Sequence, residues 1–344
     1  MIAERLTAQL LAGAPAHDPV AVAERLLAVQ GQDPRGVRLA IRARSTGLLA
    51  ADVDRALTVD RSLVITWLNR GTLHLVRGED YPWLQALTTP PLFTANARRL
   101  AQTGVSTEAA ERGVALIERS LAEEGPLTRE GLGERLAAAD VPTKGQALVH
   151  LLMLASLRGL TVRGPMVGRR QAFVLVRDWI GEPKPVDRDR ALAELARRYL
   201  TGHAPANDRD LAKWAGLPLR DARAGLRAIA SELEEVGDSL VALAGRLPAA
   251  ELPPPRLLGS FDPVLLGWTS REPLLGSDQN RVTVEGVFRP FALVGGRAAA
   301  TWTVEADKVV LRPFRRLPRQ DAAALAKDGE DVLRYLGLVE RGGP

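Results

Sequence analysis

The residues whose types and spacing could support chemistry lie in the stretch L-L-A-V-Q-G-Q-D-P-R, Leu26 to Arg35. Two neutral amides, Gln30 and Gln32, stand at its centre with Gly31 between them. Amide side chains are poor metal ligands and poor core residues, but each offers an acceptor oxygen and two N–H donors. The pair is therefore a candidate site that holds a ligand or a water molecule by hydrogen bonds.

The residues alone also allow a purely structural role for the same pair. Most glutamines at helix ends bond to nearby backbone or to solvent, so a catalytic role is the less frequent one. Asp33 follows the pair and is expected to cap the next helix. Any functional part that Asp33 has would be electrostatic support.

The elements that would position the pair follow from helical spacing and helix signals. Asp18 as N-cap and Pro19 at the first helical position predict a helix that stops at Q-G-Q-D-P, because Gly31 and Pro34 break it. Both glutamines are then expected at a helix end or in a turn. Further elements predicted in this region are helices over 36–44 and 51–57 and a β segment over 62–77. This order is typical of a winged helix-turn-helix.

A second unit has the same order of elements. Thr128 predicts the N-cap of a short helix, and a longer helix is expected from Thr143 to Gly159. Two strands are expected around a loop that carries Arg169 and Arg170. A short helix, a recognition-type helix and a basic hairpin are the parts of a winged helix-turn-helix.

A third unit is predicted from a sparse internal repeat. A proline, a capping residue and a helix leucine of the second unit recur at a constant offset: Pro126, Thr128 and Leu132 correspond to Pro205, Asn207 and Leu211. The second helix of this unit is expected over 217–229, with the strand S-L-V-A-L after it.

The last part of the chain changes to a β pattern. Gly295-Gly296 lies between two alternating runs, as a two-residue hairpin turn requires, and a helix is expected from Gln320 to Leu336. The predicted fold class is mainly α with β (α+β): three tandem winged helix-turn-helix units plus a C-terminal antiparallel β-domain. The predicted domains are 1–100 with the glutamine motif, 101–186, 187–250 and 251–344.

Composition excludes several classes of site. The chain of 344 residues has no Cys, which removes disulfides, thiolate catalysis and cysteine metal sites, and a cytoplasmic location is expected. The four His are scattered without ligand spacing, and no Gly-rich phosphate or dinucleotide fingerprint occurs. No metal and no cofactor are expected. No run of about 18 uncharged apolar residues predicts a membrane span.

The net charge of +5 permits nucleic acid as a partner without proving it. Arginine greatly outnumbers lysine, and its planar fork suits phosphates and base edges, although a GC-rich coding sequence would have the same effect. Each candidate phosphate contact is about as well explained as a solvated surface charge. These candidates are Arg35, Arg70, Arg169, Arg170 and Arg297.

Four segments, in this order and spread over most of the chain, carry a resemblance to a known family. They are A-V-Q-G-Q-D-P, N-R-G-T-L-H-L-V, L-L-G-S-F-D-P-V-L-L-G and G-V-F-R-P-F-A-L-V-G-G-R-A-A-A-T-W. They resemble the bacterial AlkZ-type DNA glycosylases, also called winged helix DNA-binding domain-containing proteins. The resemblance implies tandem winged helices and a C-terminal β-domain that form a curved surface for double-stranded DNA, and a monomer is expected.

The resemblance also implies roles for particular residues. Gln30 and Gln32 match the Gln-x-Gln branch of the family, which is linked to N7-alkylated purines and interstrand crosslinks. His74 belongs to the segment that lies close to the active region in the resembling proteins, although a structural histidine on a strand is the commoner case. Gly31 departs from the family, where a larger apolar residue or Ala is usual, and this puts the placement of the glutamines in question.

The implied chemistry is physically reasonable. Removal of a neutral base normally needs an acid on the leaving group and a base on water, each worth roughly 10² to 10⁴ in rate. An N7-alkylated guanine is already cationic and leaves without protonation, so two amide oxygens suffice to hold a water and stabilise the oxocarbenium-like sugar. The alternative function is a non-enzymatic winged-helix protein that regulates or binds lesions, since fold does not determine function.

Overall fold

The computed structural model of the chain describes residues 1–168, 170–182, 185–237, 239–246 and 248–338. The chain forms two compact units. Unit 1 consists of Met1–Val53, Leu192–Trp214 and Pro218–Pro344, and unit 2 consists of Asp54–Ala191 and Ala215–Leu217. Unit 1 is thus assembled from segments that are far apart in the sequence.

The helices of the described residues follow in chain order. They are α1 Ile2–Ala8, α2 Pro19–Leu26, α3 Pro34–Arg42, α4 Ala50–Thr58, α5 Tyr81–Thr88, α6 Phe93–Gln102, α7 Thr107–Glu124, α8 Arg129–Ala138, α9 Ala147–Leu157, α10 Val176–Trp179, α11 Arg188–His203, α12 Asp208–Ala215, α13 Leu219–Ala228, α14 Glu272–Leu275, α15 Gln279–Val282 and α16 Arg319–Tyr335.

The strands are short and pair in antiparallel fashion within each unit. They are β1 Val29–Gln30, β2 Leu63–Leu68, β3 Thr72–Arg77, β4 Leu127–Thr128, β5 Thr161–Val167, β6 Arg170–Leu175, β7 Leu233–Glu235, β8 Val241–Leu243, β9 Arg256–Leu258, β10 Thr283–Val284, β11 Val287–Phe288, β12 Phe291–Val294, β13 Arg297–Glu305 and β14 Lys308–Pro313.

Several helices begin at the capping residues that the sequence predicts. The Asp18 carboxylate accepts a hydrogen bond from the Val20 N–H at 3.0 Å, and the Asp33 carboxylate accepts one from the Arg35 N–H at 3.0 Å. Such bonds satisfy N–H groups that have no partner inside the helix. The predicted caps Thr128 and Asn207 likewise accept bonds from the first turns of α8 and α12. These local predictions are confirmed.

Two helix boundaries differ from the predictions, and a left-handed backbone explains each. Helix α2 ends at Leu26 because Leu27 has φ 62 and ψ −46, and Gln30 therefore lies in the extended strand β1 and not at a helix end. Helix α9 begins at Ala147, later than predicted, after Gly145 with φ 61. A left-handed residue cannot continue a right-handed helix.

In unit 2, five strands form an antiparallel sheet in the order β3-β2-β5-β6-β4. The hairpin β2–β3 pairs Thr66 with His74, and the hairpin β5–β6 contains a register shift between Arg163 and Met166. Helices α7 and α9 pack against this sheet. The hairpin carries Arg170 at the start of β6, and the predicted Arg169 lies outside the described residues.

In unit 1, the C-terminal part forms a four-stranded antiparallel sheet in the order β14-β13-β12-β9. The predicted turn Gly295-Gly296 joins β12 to β13 with φ 56 and 76, values that glycine adopts freely. The buried core of this region also includes Leu39 of α3 and Leu325 and Val332 of α16. Helix α3, which follows the glutamine motif, is therefore part of the C-terminal core.

A buried ion pair joins the end of α3 to the loop after β9. Arg44 and Asp262 are both fully buried, with guanidinium and carboxylate in a bidentate contact at 2.7 and 2.9 Å. The side chain of Gln9, directly after α1, accepts from Arg44 at 3.0 Å, and Asp262 also accepts from the Val264 N–H at 3.0 Å. Buried charges are tolerated only when they are paired and hydrogen-bonded in this way.

The predicted fold class, a mixed α and β protein with antiparallel sheets, is confirmed. The winged helix-turn-helix assignment of the three units and the domain boundaries at 100, 186 and 250 stay predictions.

We expect Asp262→Ala to lower the free energy of unfolding by about 3 to 5 kcal/mol, because it leaves the Arg44 charge buried without a partner. Urea denaturation followed by tryptophan fluorescence measures the change. Glu305→Ala is the control, because the ion pair of Glu305 with Arg312 is exposed on both sides and its loss should cost no more than about 1 kcal/mol. Equal losses in the two variants would contradict a structural role for the buried pair.

Candidate functional site

The two glutamines lie in different environments in the short segment between α2 and α3. Gln30, the second residue of β1, is 7% exposed, whereas Gln32 is exposed. Gly31 between them is buried. One amide is thus held within the protein, and the other faces the solvent.

Helix α3 begins immediately after the pair. Asp33 is its N-cap, and one carboxylate oxygen bonds to the Arg35 N–H. The predicted cap role of Asp33 is therefore confirmed, and its charge lies one residue from Gln32. Arg35 is exposed in the first turn of the same helix. The structure thus brings Gln30, Gln32, Asp33 and Arg35 together in unit 1.

A close backbone approach fixes the first turn of α3 against the loop after β9. A Cβ atom at Gly36 would lie 2.4 Å from the carbonyl oxygen of Ser260, and one at Gly259 would lie 2.9 Å from the Cβ of Leu39. Real side chains cannot be this close, so both positions require glycine. The segment L-L-G-S-F-D-P is therefore a direct neighbour of the helix that the glutamine motif starts.

Two residues next to the site have an unfavourable backbone. Leu27 has φ 62 and Phe261 has φ 56, in the left-handed region that L side chains rarely adopt. Such conformations cost about 1 to 3 kcal/mol each and persist only where the surrounding structure enforces them. At these two residues the chain changes direction, which sets the positions of β1 and of the loop after β9.

Helix α3 is held at its other end by α16. Arg42 donates to Asp331 at 2.9 Å and to Asp328 at 3.0 Å, and the Tyr335 hydroxyl donates to the Arg38 carbonyl at 2.9 Å. Burial by itself would lower the pKa of Arg42, but the two carboxylates outweigh that effect and raise it. Arg42 therefore stays charged in a buried position, and α3 has little freedom to move.

His74 lies in unit 2 on strand β3 and is 2% exposed. Its Nδ1 is 2.9 Å from the Thr72 carbonyl oxygen. Burial, with a smaller contribution from the charge of Arg70, lowers the pKa of His74 to about 3. The imidazole is consequently neutral near pH 7 and acts as a hydrogen-bonding group rather than a cation.

The predicted arginines differ in their surroundings. Arg70 is partly buried in the turn between β2 and β3 with φ 54, and its charge reaches His74. Arg170 forms an ion pair with Glu130 at 3.0 Å, in which both side chains are exposed. Arg297 is exposed at the start of β13, directly after the Gly-Gly turn.

Other kinds of site find no support in the described part of the chain. There, no three His, Asp or Glu side chains are grouped so that they could hold a metal ion. Over the same residues, no helix combines the length and apolar character that a membrane span needs.

The charged residues that hold α3 in place were not predicted from the sequence. Arg42, Arg44 and Asp328 are largely buried, yet charged residues near the end of a short amphipathic helix ordinarily predict a solvated face. The related signal in the sequence is Asp262 before Pro263 within L-L-G-S-F-D-P, because Asp-Pro favours a turn. It does begin a turn by accepting from the Val264 N–H, and it also pairs with Arg44.

We expect the pKa of His74 to make stability depend on pH. In the unfolded chain the pKa of His74 is about 6.5, whereas in the folded protein it is about 3. Between these values only the unfolded chain binds the proton, so the free energy of unfolding should fall as the pH decreases. At pH 5 the loss from this residue should be about 2 kcal/mol. Urea denaturation of wild type and of His74→Asn at pH 7.5 and pH 5 measures the contribution of His74 as the difference between the two proteins. The same loss in both proteins would contradict the prediction.

Comparison with known proteins identifies the family. The model of the AlkZ-like DNA glycosylases matches residues 23–335. The interstrand DNA cross-link repair glycosylase of Streptomyces sahachiroi is 27% identical over an alignment of 346 residues. The alignment covers 92% of this chain and 90% of that protein. The solved structure of the Streptomyces sahachiroi DNA glycosylase AlkZ superposes with a TM-score of 0.80 at 25% identity, over 98% of this chain and 95% of that one. The predicted resemblance and enzyme class are confirmed: the chain belongs to the AlkZ-like DNA glycosylase family.

Proposed function

We propose that the protein hydrolyses the N-glycosidic bond of cationic N7-alkylated purines in double-stranded DNA, including purines that are held in interstrand crosslinks. Membership of a DNA glycosylase family supports the reaction type. The name of the relative from Streptomyces sahachiroi supports crosslinks as substrates. The observation that carries the proposal is the pair of amides, one buried and one exposed, at the start of a firmly held helix.

The chemistry of the leaving group explains why amides can be enough. A base alkylated at N7 carries a positive charge. When the glycosidic bond breaks, both of its electrons go to the base and neutralise this charge, so no proton has to be supplied to it. The reaction then needs a positioned water and stabilisation of the positive charge that develops on the sugar. Preoriented amide oxygens provide both, and they act most strongly where bulk water is excluded.

The two glutamines have different parts in this proposal. Gln30 is buried, so its dipole is fixed and suited to stabilising the cationic sugar. Gln32 is exposed and holds the attacking water, which arrives from solvent. The Asp33 carboxylate caps α3 through one oxygen and adds a negative charge near the developing cation.

Rigidity of α3 supports this division of roles. Small displacements of a catalytic group cost large factors in rate, so the supporting residues matter as much as the group itself. Here Arg42, Arg44 and the close approach of Gly36 to Ser260 fix the helix that directly follows Gln32. A firmly held α3 limits the freedom that Gly31 gives to the motif, where the resembling proteins usually have a larger residue.

Arginine residues on the surface are proposed to contact phosphates and orient the duplex. Arg35 and Arg297 are exposed in unit 1, and Arg70 is partly exposed in unit 2. Phosphate contacts set orientation and contribute affinity without reading sequence. We propose that the protein binds DNA as a monomer.

We expect Gln30→Ala and Gln32→Ala each to slow the release of N7-methylguanine from a duplex by on the order of 10² to 10³, the usual effect of removing one polar stabiliser. Duplex affinity should stay unchanged. Single-turnover release of the free base measures the rate. Gln102→Ala removes an exposed amide at the end of α6 and serves as the matched control. If wild type releases no base from alkylated duplexes or crosslinks, the proposed substrate is wrong.

We expect Arg297→Ala to weaken binding to every duplex and to reduce the slope of log K against log salt by about 0.9, the value for one phosphate contact. Fluorescence anisotropy at several salt concentrations gives the slope. Arg223→Ala is the control, because its guanidinium is already held by Asp208 at 2.7 Å. An unchanged slope for Arg297→Ala would remove the β12–β13 turn from the DNA-binding surface.

A further inference from the structure

An arginine in unit 2 lies over two aromatic rings in the middle of the sheet. Arg163 on β5 is paired with Ile65 of β2 and Phe173 of β6. Its guanidinium carbon is 4.8 Å from the ring centroid of Trp67 and 4.9 Å from that of Phe173. The two ring planes differ by only 18°, and both rings are buried. The rings hold the guanidinium in one orientation.

Among the described residues, the Arg163 side chain has no hydrogen-bond acceptor and no ion-pair partner, and its Nε is buried. An N–H donor that is buried without an acceptor costs free energy, and Arg163 as a whole is only partly buried, so an anion can reach its guanidinium from solvent. Burial lowers the pKa of Arg163 to about 10, and the charge of Arg129 adds to this effect.

Arg129 provides a second cation close to Arg163. It is exposed as the first residue of α8, directly after strand β4, whose residues Leu127 and Thr128 pair with β6. Within the described residues, the Arg129 side chain also has no hydrogen bond or ion pair. The neighbouring carboxylate of Glu130 is engaged by Arg170 at 3.0 Å. Two like charges are therefore close together without a compensating group.

We propose that Arg163 and Arg129 form a binding site for a single phosphate group, and that its occupant is a phosphodiester of the DNA duplex. The identity of the occupant rests on the proposed action on double-stranded DNA. A planar fork with free N–H edges binds phosphate oxygens in pairs. Because the rings already orient the Arg163 fork, little side-chain entropy is lost on binding. Arg129 is exposed, so the phosphate can belong to a long polymer.

The test uses the full-length protein and an undamaged 24-base-pair duplex, so that it depends on binding alone. Arg163→Gln and Arg129→Gln should each weaken binding about 10-fold at 0.1 M salt, as expected for one charge-assisted contact. Each should reduce the slope of log K against log salt by about 0.9. The double variant should lose little more slope than either single variant, because both residues contact the same phosphate.

The matched control is Arg135→Gln. Arg135 lies on the same helix, α8, and its Nε donates to Glu124 at 2.6 Å, so its charge is already compensated. Its affinity and slope should equal those of wild type. Arg163→Lys keeps the charge but loses the fork, and we expect it to retain most of the slope while binding the duplex more weakly.

Separate outcomes overturn separate parts of the proposal. Unchanged affinity and slope in Arg163→Gln, with a lowered melting temperature, would show that Arg163 only packs against the rings. If Arg163→Gln does not fold, an unchanged slope in Arg129→Gln alone overturns the site. If inorganic phosphate stabilises wild type as much as the duplex does, and only when Arg163 is present, the occupant is a small anion and not DNA. Failure of wild type to release a base would contradict the proposed function and leave this site standing.

Discussion

The fully buried ion pair between Arg44 and Asp262 is the contact on which the arrangement of unit 1 depends. It joins three segments of the chain: Gln9 directly after α1, Arg44 just after α3, and the loop after β9. A buried pair of this kind adds little to stability compared with apolar residues of the same volume. Its value is geometric, since only one placement of the loop leaves neither charge alone in the interior.

The same placement determines the surroundings of the glutamine motif. With Asp262 fixed, the backbone of Ser260 lies against Gly36, and the first turn of α3 cannot shift without a steric clash. Arg42 secures the other end of the helix through Asp328 and Asp331 of α16. Polar contacts thus hold both ends of α3, while Leu39 anchors its middle in the apolar core.

How much of this could be predicted depended on whether the physical cause was local. The caps Asp18, Asp33 and Thr128 and the Gly-Gly hairpin were predicted correctly, because a few adjacent residues determine them. The glutamine pair was found from residue type and spacing, and the family from four segments in order. The strand position of Gln30 was not predictable, because a left-handed Leu27 is imposed by tertiary packing rather than by leucine.

Burial of charge was likewise invisible in the sequence. Arg44 and Arg163 look like any other arginine, and nothing nearby distinguishes a buried ion pair from a solvated side chain. Asp262 before Pro263 has the pattern of a turn residue, but its partner Arg44 lies 218 residues away. Contacts of such separation are set by the assembled fold and not by local pattern.

The attachment of α3 to α16 has a consequence for how the protein is made. Arg42 and Asp328 are separated by 286 residues. At about 5 to 20 residues per second, a ribosome needs roughly 15 to 60 s to synthesise the chain between them. During that interval the glutamine motif has left the ribosome, but the helix behind it lacks its C-terminal anchor. A nascent chain therefore carries the glutamine motif without this support, and the C-terminal end of α3 is anchored only after α16 has emerged. Premature termination before α16 would yield a protein in which Arg42 lacks its carboxylate partners Asp328 and Asp331.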